Sequence, residues 1–69
     1  MKNEIFISII VPTYNRGKII KKTINSLLNQ EYSNYEIIVV DDGSTDNTKE
    51  MILSFKNEKI KYYYKSNQE

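Results

Sequence analysis

The sequence predicts an α/β fold, in which a parallel sheet of three strands in the order 3-2-1 carries two helices on one face. Two runs of mostly β-branched residues, Ile5 to Val11 and Glu36 to Val40, are each followed by a polar turn. Between these runs, apolar residues recur at helical spacing. A second segment with helical spacing and an aromatic strand follow the second run. Because parallel crossovers are right-handed in about 98% of cases, two crossovers in the same direction put both helices on one side of the sheet.

The first strand is predicted from Ile5 to Val11, and we expect it to stop at Pro12 because proline has no backbone N–H. Its apolar residues occupy both faces, which is typical of strands in parallel sheets. After the polar turn from Thr13 to Gly17, apolar residues recur at helical spacing from about Lys18 to Asn29. This segment is therefore predicted to be an amphipathic helix that packs one stripe on the sheet.

The second strand, Glu36 to Val40, runs into two adjacent carboxylates, Asp41 and Asp42. In an open parallel sheet the ligand crevice lies beyond the carboxyl ends of the strands. Asp41 and Asp42 are therefore expected at the rim of such a crevice. Taken alone, the run from Asp41 to Asp46 is more often a turn with a helix cap than a binding site.

The last third of the chain is expected to form a second helix and a third strand. Ser44 or Asp46 can accept hydrogen bonds from the free N–H groups of a helix running from about Asn47 to Phe55. The third strand is predicted from Ile60 to Tyr64, and Lys65 to Glu69 are predicted to be a polar end with no partner. One face of the sheet is then exposed, and strand one lies at an edge whose unpaired backbone groups can pair with another chain. We therefore expect this to be the front part of a longer protein.

The composition narrows the classes of function. The 69 residues allow one small domain, the absence of cysteine excludes disulfides, and the absence of histidine removes the commonest zinc ligand. A net charge of +1 gives no argument for nucleic acid or an anionic membrane. The apolar runs are too short to span a bilayer, and the start of the chain is not a convincing signal peptide. A cytoplasmic location without a transmembrane segment is therefore predicted.

Three separated blocks of the chain stand in the order and at the spacing of a known family. They run from Ser8 to Arg16, from Ser26 to Gln30 and from Tyr35 to Asp46. Together they closely resemble the start of family 2 glycosyltransferases, which have the GT-A fold, and Asn67 is a candidate for a further family block. The resemblance implies that residues 1–69 are a partial nucleotide-sugar-binding domain, the N-terminal half of a Rossmann-like GT-A domain.

The resemblance also implies the residues of a nucleotide pocket. Pro12, Thr13 and Tyr14 match the family loop that packs against the base, and Tyr14 can stack on a uracil ring. Asp42, with Asp41 beside it, matches the carboxylate that accepts the uracil imide N–H. An ionised carboxylate is only an acceptor, so it selects a base that presents an N–H, and aromatic stacking adds about 1 to 3 kcal/mol per base. The alternative for Tyr14 is a surface turn residue.

The features that the family needs for catalysis are expected further along than this chain. They are an Asp-x-Asp type pair that holds a divalent cation, Mn or Mg, on the diphosphate and a carboxylate base for inverting attack at the anomeric carbon. Asp41 and Asp42 are an adjacent pair at the wrong place for the metal. We therefore expect no catalytic residue and no metal site within this chain, which alone should not transfer sugar.

Two hypotheses for the function follow. In the first, the chain is the nucleotide-binding segment of a glycosyltransferase that moves a sugar from a UDP-linked donor to a carbohydrate or lipid acceptor, in the cytoplasm or at the membrane periphery. In the second, it is a non-catalytic module that self-associates through exposed strand one or the open sheet face. Edge pairing and exchange of an element between identical chains are both open.

Overall fold

The computed structural model describes residues 5–66, so Asn67 lies outside the described part of the chain. Its five elements are β1 (Ile7–Thr13), α1 (Gly17–Leu28), β2 (Tyr35–Asp42), α2 (Thr48–Leu53) and β3 (Ile60–Lys65). The strands form one parallel sheet in the order β1-β2-β3. The predicted fold class, with β1 at an edge of the sheet, is confirmed.

Two strands run further into the polar turns than the sequence predicts. β1 does not stop before Pro12 but continues through it to Thr13, with Pro12 opposite Val40. Proline is tolerated here because β1 is an edge strand, and one side of its backbone has no ladder partner among residues 5–66. β2 likewise includes Asp41, which lies opposite Thr13 of β1 and Tyr64 of β3, and Asp42, which lies opposite Lys65 of β3. The two carboxylates therefore belong to the sheet and not to the turn after it.

β3 also continues one residue further, to Lys65. The prediction that Lys65 has no partner is wrong, because it pairs with Asp42 in the parallel register of β2 and β3. Its Nζ lies 3.9 Å from Asp42 Oδ1. Local composition does not reveal this pairing, because lysine is depleted in strands and the register depends on the neighbouring strand.

Both helices begin and end close to the predicted positions. α1 begins at Gly17 and ends at Leu28, each one residue earlier than predicted. α2 ends at Leu53 rather than at Phe55, and Lys56 follows in the left-handed region with a φ of 49°. A left-handed residue at this point turns the chain out of the helical path.

The core lies between the two helices and one face of the sheet. Its buried apolar residues are Ile20, Ile24, Tyr35, Ile37, Val39 and Ile52. Because strand side chains alternate, the intervening residues of β2 point to the opposite face. On that face Ile10 is 57% exposed and Tyr63 is 58% exposed, and no element within residues 5–66 covers them. No helix in this same part of the chain is long and apolar enough to cross a bilayer.

Candidate functional site

The carboxyl ends of the three strands border a hollow on the sheet face that the helices leave bare. Its volume is about 350 Å³. The residues that line it are Pro12, Thr13, Tyr14, Val40, Asp42 and Lys65. Four of the five predicted site residues therefore border one hollow, with Tyr14 just after β1 and Asp42 at the end of β2.

The side chains around this hollow combine three kinds of interaction. Tyr14 is 48% exposed and can offer its ring to a planar group. The Asp42 carboxylate accepts hydrogen bonds, and the Lys65 ammonium, 3.9 Å from Asp42 Oδ1, supplies a positive charge. The arrangement suits a ligand with an aromatic ring, an N–H donor and an anionic group. Lys65 was not among the residues predicted for the site. The parallel pairing of β2 with β3 places it opposite Asp42, so the register of these strands is the feature that identifies it.

Asp41 is the predicted site residue that does not line the hollow. Since it precedes Asp42 in β2, it faces the helices, where it is 0% exposed. Its Oδ1 accepts the Ser44 N–H at 3.0 Å, and its Oδ2 accepts the Tyr62 hydroxyl at 2.5 Å. Burial and the Asp41 carboxylate both raise the pKa of the Tyr62 hydroxyl, which stabilises the protonated form that donates to Asp41. Asp41 therefore ties β2 to β3 and to the turn after β2.

Thr13 borders the hollow but its side chain belongs to the helix-covered side of the sheet. The residue is only 6% exposed, and it lies opposite the buried Asp41 in the register of β1 and β2. Its Oγ1 is buried without a hydrogen-bond partner among residues 5–66. The structure therefore separates the predicted residues into Pro12, Tyr14 and Asp42 on the bare face and Thr13 and Asp41 beneath the sheet.

The loops that follow β1 and β2 are joined by hydrogen bonds. Asn15 adopts a φ of 50° and donates its N–H to Ser44 Oγ at 2.7 Å. Its Oδ1 accepts the N–H groups of Thr45 and Asp46 at 2.8 and 3.3 Å. The Gly17 N–H donates to Asp46 Oδ2 at 3.1 Å. These contacts hold the start of α1 against the turn that leads into α2.

Asp46 also organises the start of α2. Its Oδ1 accepts the Thr48 hydroxyl at 2.5 Å and the Thr48 N–H at 3.0 Å. The hydroxyl bond is the largest of several contacts that hold the pKa of Asp46 below its usual range. Of the two residues predicted to serve the second helix, Asp46 does so, whereas Ser44 accepts from Asn15 in the other loop.

The acidic residues described here do not form a cation site. Within residues 5–66, no three acidic side chains converge where they could hold a metal ion. Asp41 and Asp42 point to opposite faces of the sheet, and both oxygens of Asp41 already accept hydrogen bonds. The divalent cation that the resemblance implies therefore does not fit these residues.

Comparison with known proteins identifies the family. Residues 8–69 match the model of glycosyl transferase family 2. An uncharacterised glycosyltransferase of Rickettsia conorii is 52% identical over 63 residues, which are 88% of this chain and 10% of that protein. The UDP-Glc:alpha-D-GlcNAc-diphosphoundecaprenol beta-1,3-glucosyltransferase of Escherichia coli is 42% identical over 59 residues, which are 86% of this chain and 23% of that protein. The chain therefore spans less than a quarter of the length of either relative.

A solved structure shows the same architecture. It is a mannosyltransferase from Pyrobaculum calidifontis in complex with GDP-Man and Mn²⁺, and it matches with a TM-score of 0.73 and 27% sequence identity. The match covers 91% of this chain and 19% of the mannosyltransferase. Both the predicted Rossmann-like fold and the resemblance in the three sequence blocks are thus confirmed. On the strength of the family model and these relatives, the chain belongs to glycosyl transferase family 2.

Proposed function

We propose that residues 1–69 are the N-terminal, nucleotide-binding part of a longer glycosyltransferase, and that the hollow on the bare sheet face holds the base of its nucleotide-sugar donor. The single observation that carries this proposal is that Tyr14 and Asp42 line one hollow at the carboxyl ends of adjacent strands. The complete enzyme would transfer a sugar from a UDP-linked donor to a carbohydrate or lipid acceptor with inversion.

Each side chain of the hollow has a role in this proposal. The Tyr14 ring stacks on the base, and such contacts contribute about 1 to 3 kcal/mol each. Asp42 accepts an N–H from the edge of the base, and Pro12 and Val40 supply apolar surface below it. Lys65 lies at the same end of the sheet and can meet a phosphate oxygen once its pairing with Asp42 is exchanged for the ligand. Asp41 supports the strand ends without touching the nucleotide.

The chemistry of Asp42 limits which bases can bind. Uracil offers one imide N–H to a carboxylate, and guanine offers two N–H groups on the corresponding edge. Cytosine and adenine present an unprotonated ring nitrogen there, which a carboxylate repels. The Escherichia coli relative is named for UDP-Glc and the solved neighbour holds GDP-Man, so both favoured bases occur among similar proteins. We propose uracil, with guanine as the competing base.

Titration of the chain with UDP, GDP, CDP and ADP, followed through backbone amide resonances, tests the site. UDP is expected to shift the resonances around Tyr14 and Asp42 and to bind at least about tenfold more tightly than CDP. Asp42→Asn is expected to remove this preference, because an amide can donate to the ring nitrogen of cytosine. Glu50→Gln, an exposed acid on α2, is the matched control and should keep it. Equal binding of UDP and CDP, or no shifts at millimolar UDP, would contradict the proposal.

The residues that hold the divalent cation and activate the acceptor are proposed to lie in the part of the enzyme outside this chain, since the chain spans only 10% and 23% of the length of the two relatives. The chain alone is therefore expected to be inactive, and sugar transfer from UDP-sugars by this chain would disprove that expectation. The Escherichia coli relative is named for a diphosphoundecaprenol acceptor, which supports action of the complete enzyme at the membrane periphery.

A second candidate function is self-association through the bare sheet face or the edge of β1. It is favoured by Ile10 and Tyr63, which are more than half exposed on that face. Exposed apolar patches and strand edges of this kind promote association. Sedimentation measurements decide this candidate: a dilute monomer at all concentrations would eliminate it, and dimers abolished by Ile10→Lys would support it.

A further inference from the structure

We propose that Asn15 and Asp46 are positioning residues for the nucleotide hollow. They join the loop after β1, which carries Tyr14, to the loop that follows Asp42 at the end of β2. The set of Asn15, Gly17, Ser44, Thr45 and Asp46 is called the loop clasp below. This inference rests on the proposed function, because it assigns these residues a role in binding the same nucleotide. Neither Asn15 nor Asp46 lines the hollow itself, so both act through the residues that do.

The first half of the loop clasp is centred on Asn15, which directly follows Tyr14. Its N–H donates to Ser44 Oγ, and its Oδ1 accepts from the N–H groups of Thr45 and Asp46. Asparagine suits this position because its φ is 50°, in the left-handed region that asparagine adopts more readily than most residues. One side chain thus fixes the backbone after Tyr14 to the backbone three and four residues after Asp42.

The second half of the loop clasp is a contact between Gly17 and Asp46. The Gly17 N–H donates to Asp46 Oδ2 at 3.1 Å. A Cβ on Gly17 would lie 3.2 Å from that oxygen and 2.0 Å from Asn47 Oδ1, so the side chains of Asp46 and Asn47 would have to move to admit a larger residue. The start of α1 is therefore held against the turn before α2 by a contact independent of Asn15.

The loop clasp matters for binding because Tyr14 is the one residue lining the hollow that lies in a loop, whereas the other lining residues belong to the strands. Tyr14 is 48% exposed, so packing alone does not fix the distance between its ring and Asp42. If the loop after β1 moved freely, the nucleotide would have to order it on binding, and the lost entropy would weaken the affinity. The contacts of the loop clasp hold this loop in place before the nucleotide binds.

The test compares three variants in titrations with UDP. Asn15→Gly retains the freedom to adopt a φ of 50° but removes Oδ1, and it is expected to weaken UDP binding about tenfold. Asn15→Asp keeps the acceptor oxygen and tolerates the same φ, so its dissociation constant should stay within about threefold of wild type. Ile24→Val, on the buried face of α1, is the control for general loss of stability and should bind UDP as wild type does.

Two results would overturn the proposal: Asn15→Gly binding UDP as tightly as wild type, or Ile24→Val weakening binding by as much as Asn15→Gly. Measurements without nucleotide separate this proposal from the proposed function. Asn15→Gly should lose hydrogen-exchange protection at the amides of Thr45 and Asp46, and the resonances of Tyr14 and Asp42 should shift. Failure of the wild type to bind UDP would defeat the proposed function, whereas unchanged exchange and resonances in Asn15→Gly would defeat the loop clasp.

Discussion

Of the two adjacent carboxylates, Asp41 is expected to stabilise the fold and Asp42 to bind the nucleotide. The substitution Tyr62→Phe tests the role of Asp41. The substitution removes the hydroxyl that donates to Asp41 Oδ2 at 2.5 Å and leaves the ring in place. Asp41 is 0% exposed, so water cannot easily replace the lost donor. Asp42, on the opposite face, has no part in this contact.

The expected loss follows from the cost of removing a hydrogen bond to a buried charged acceptor, which is about 1.5 to 3 kcal/mol. For a domain of this size each kcal/mol lowers the melting temperature by about 4 to 8 °C, so the total decrease should be about 6 to 24 °C. Binding of UDP is expected to stay within about threefold of wild type, because Tyr62 does not line the hollow.

Urea denaturation followed by circular dichroism measures the loss, and Tyr63→Phe is the matched control. Tyr63 is the next residue of β3, lies on the bare face and is 58% exposed, so its variant should change the free energy of unfolding by less than about 0.5 kcal/mol. Equal stability of Tyr62→Phe and Tyr63→Phe would refute the role given to Asp41. If Tyr62→Phe bound UDP much more weakly under conditions where the variant is fully folded, the claim that Asp41 serves stability and not binding would be refuted.

Three further outcomes are expected. Gly43→Ala should lower the free energy of unfolding by about 1 to 2 kcal/mol in urea denaturation, because Gly43 has a φ of 87° that a side chain disfavours; an unchanged midpoint would contradict this. The pKa of Asp46 is lowered in the folded chain, so its contribution is complete above the usual aspartate pKa and is lost as pH falls through the lower folded value. Asp46→Asn should therefore be less stable than wild type at pH 7, and thermal unfolding should show this difference shrinking below about pH 4. A difference in stability that grows as the pH falls would contradict the role of the Asp46 carboxylate. Lys65→Gln should weaken UDP binding and reduce its salt dependence in calorimetric titrations, and an unchanged salt dependence would argue against a phosphate contact.

The sequence was sufficient for the order and type of all five elements, because each has a strong periodic or β-branched pattern and the crossover rule orients them. The predictions were least accurate for the positions where the strands end. Pro12 stays in β1 because an edge strand lacks one ladder, and Lys65 joins β3 because Asp42 lies opposite it. Both facts depend on neighbouring strands, which local propensity does not describe.

The candidate site was predicted in part for a related reason. Once β2 extends through both carboxylates, strand alternation sends Asp41 beneath the sheet and Asp42 to the bare face. The sequence reasoning ended the strand at Val40, so it had no basis for separating them. The role of Asn15 could not be read from the sequence either, because its partners are about thirty residues away in the other loop.

The most direct test of the central claim is to locate the bound base by nuclear Overhauser effects between UDP and the labelled chain. The base protons H5 and H6 of UDP should show cross-peaks to the Tyr14 ring and to the side chain of Val40, on the bare face of the sheet. Cross-peaks instead to Lys49 and Tyr64, which line a separate recess beside α2, would contradict the assignment of the hollow.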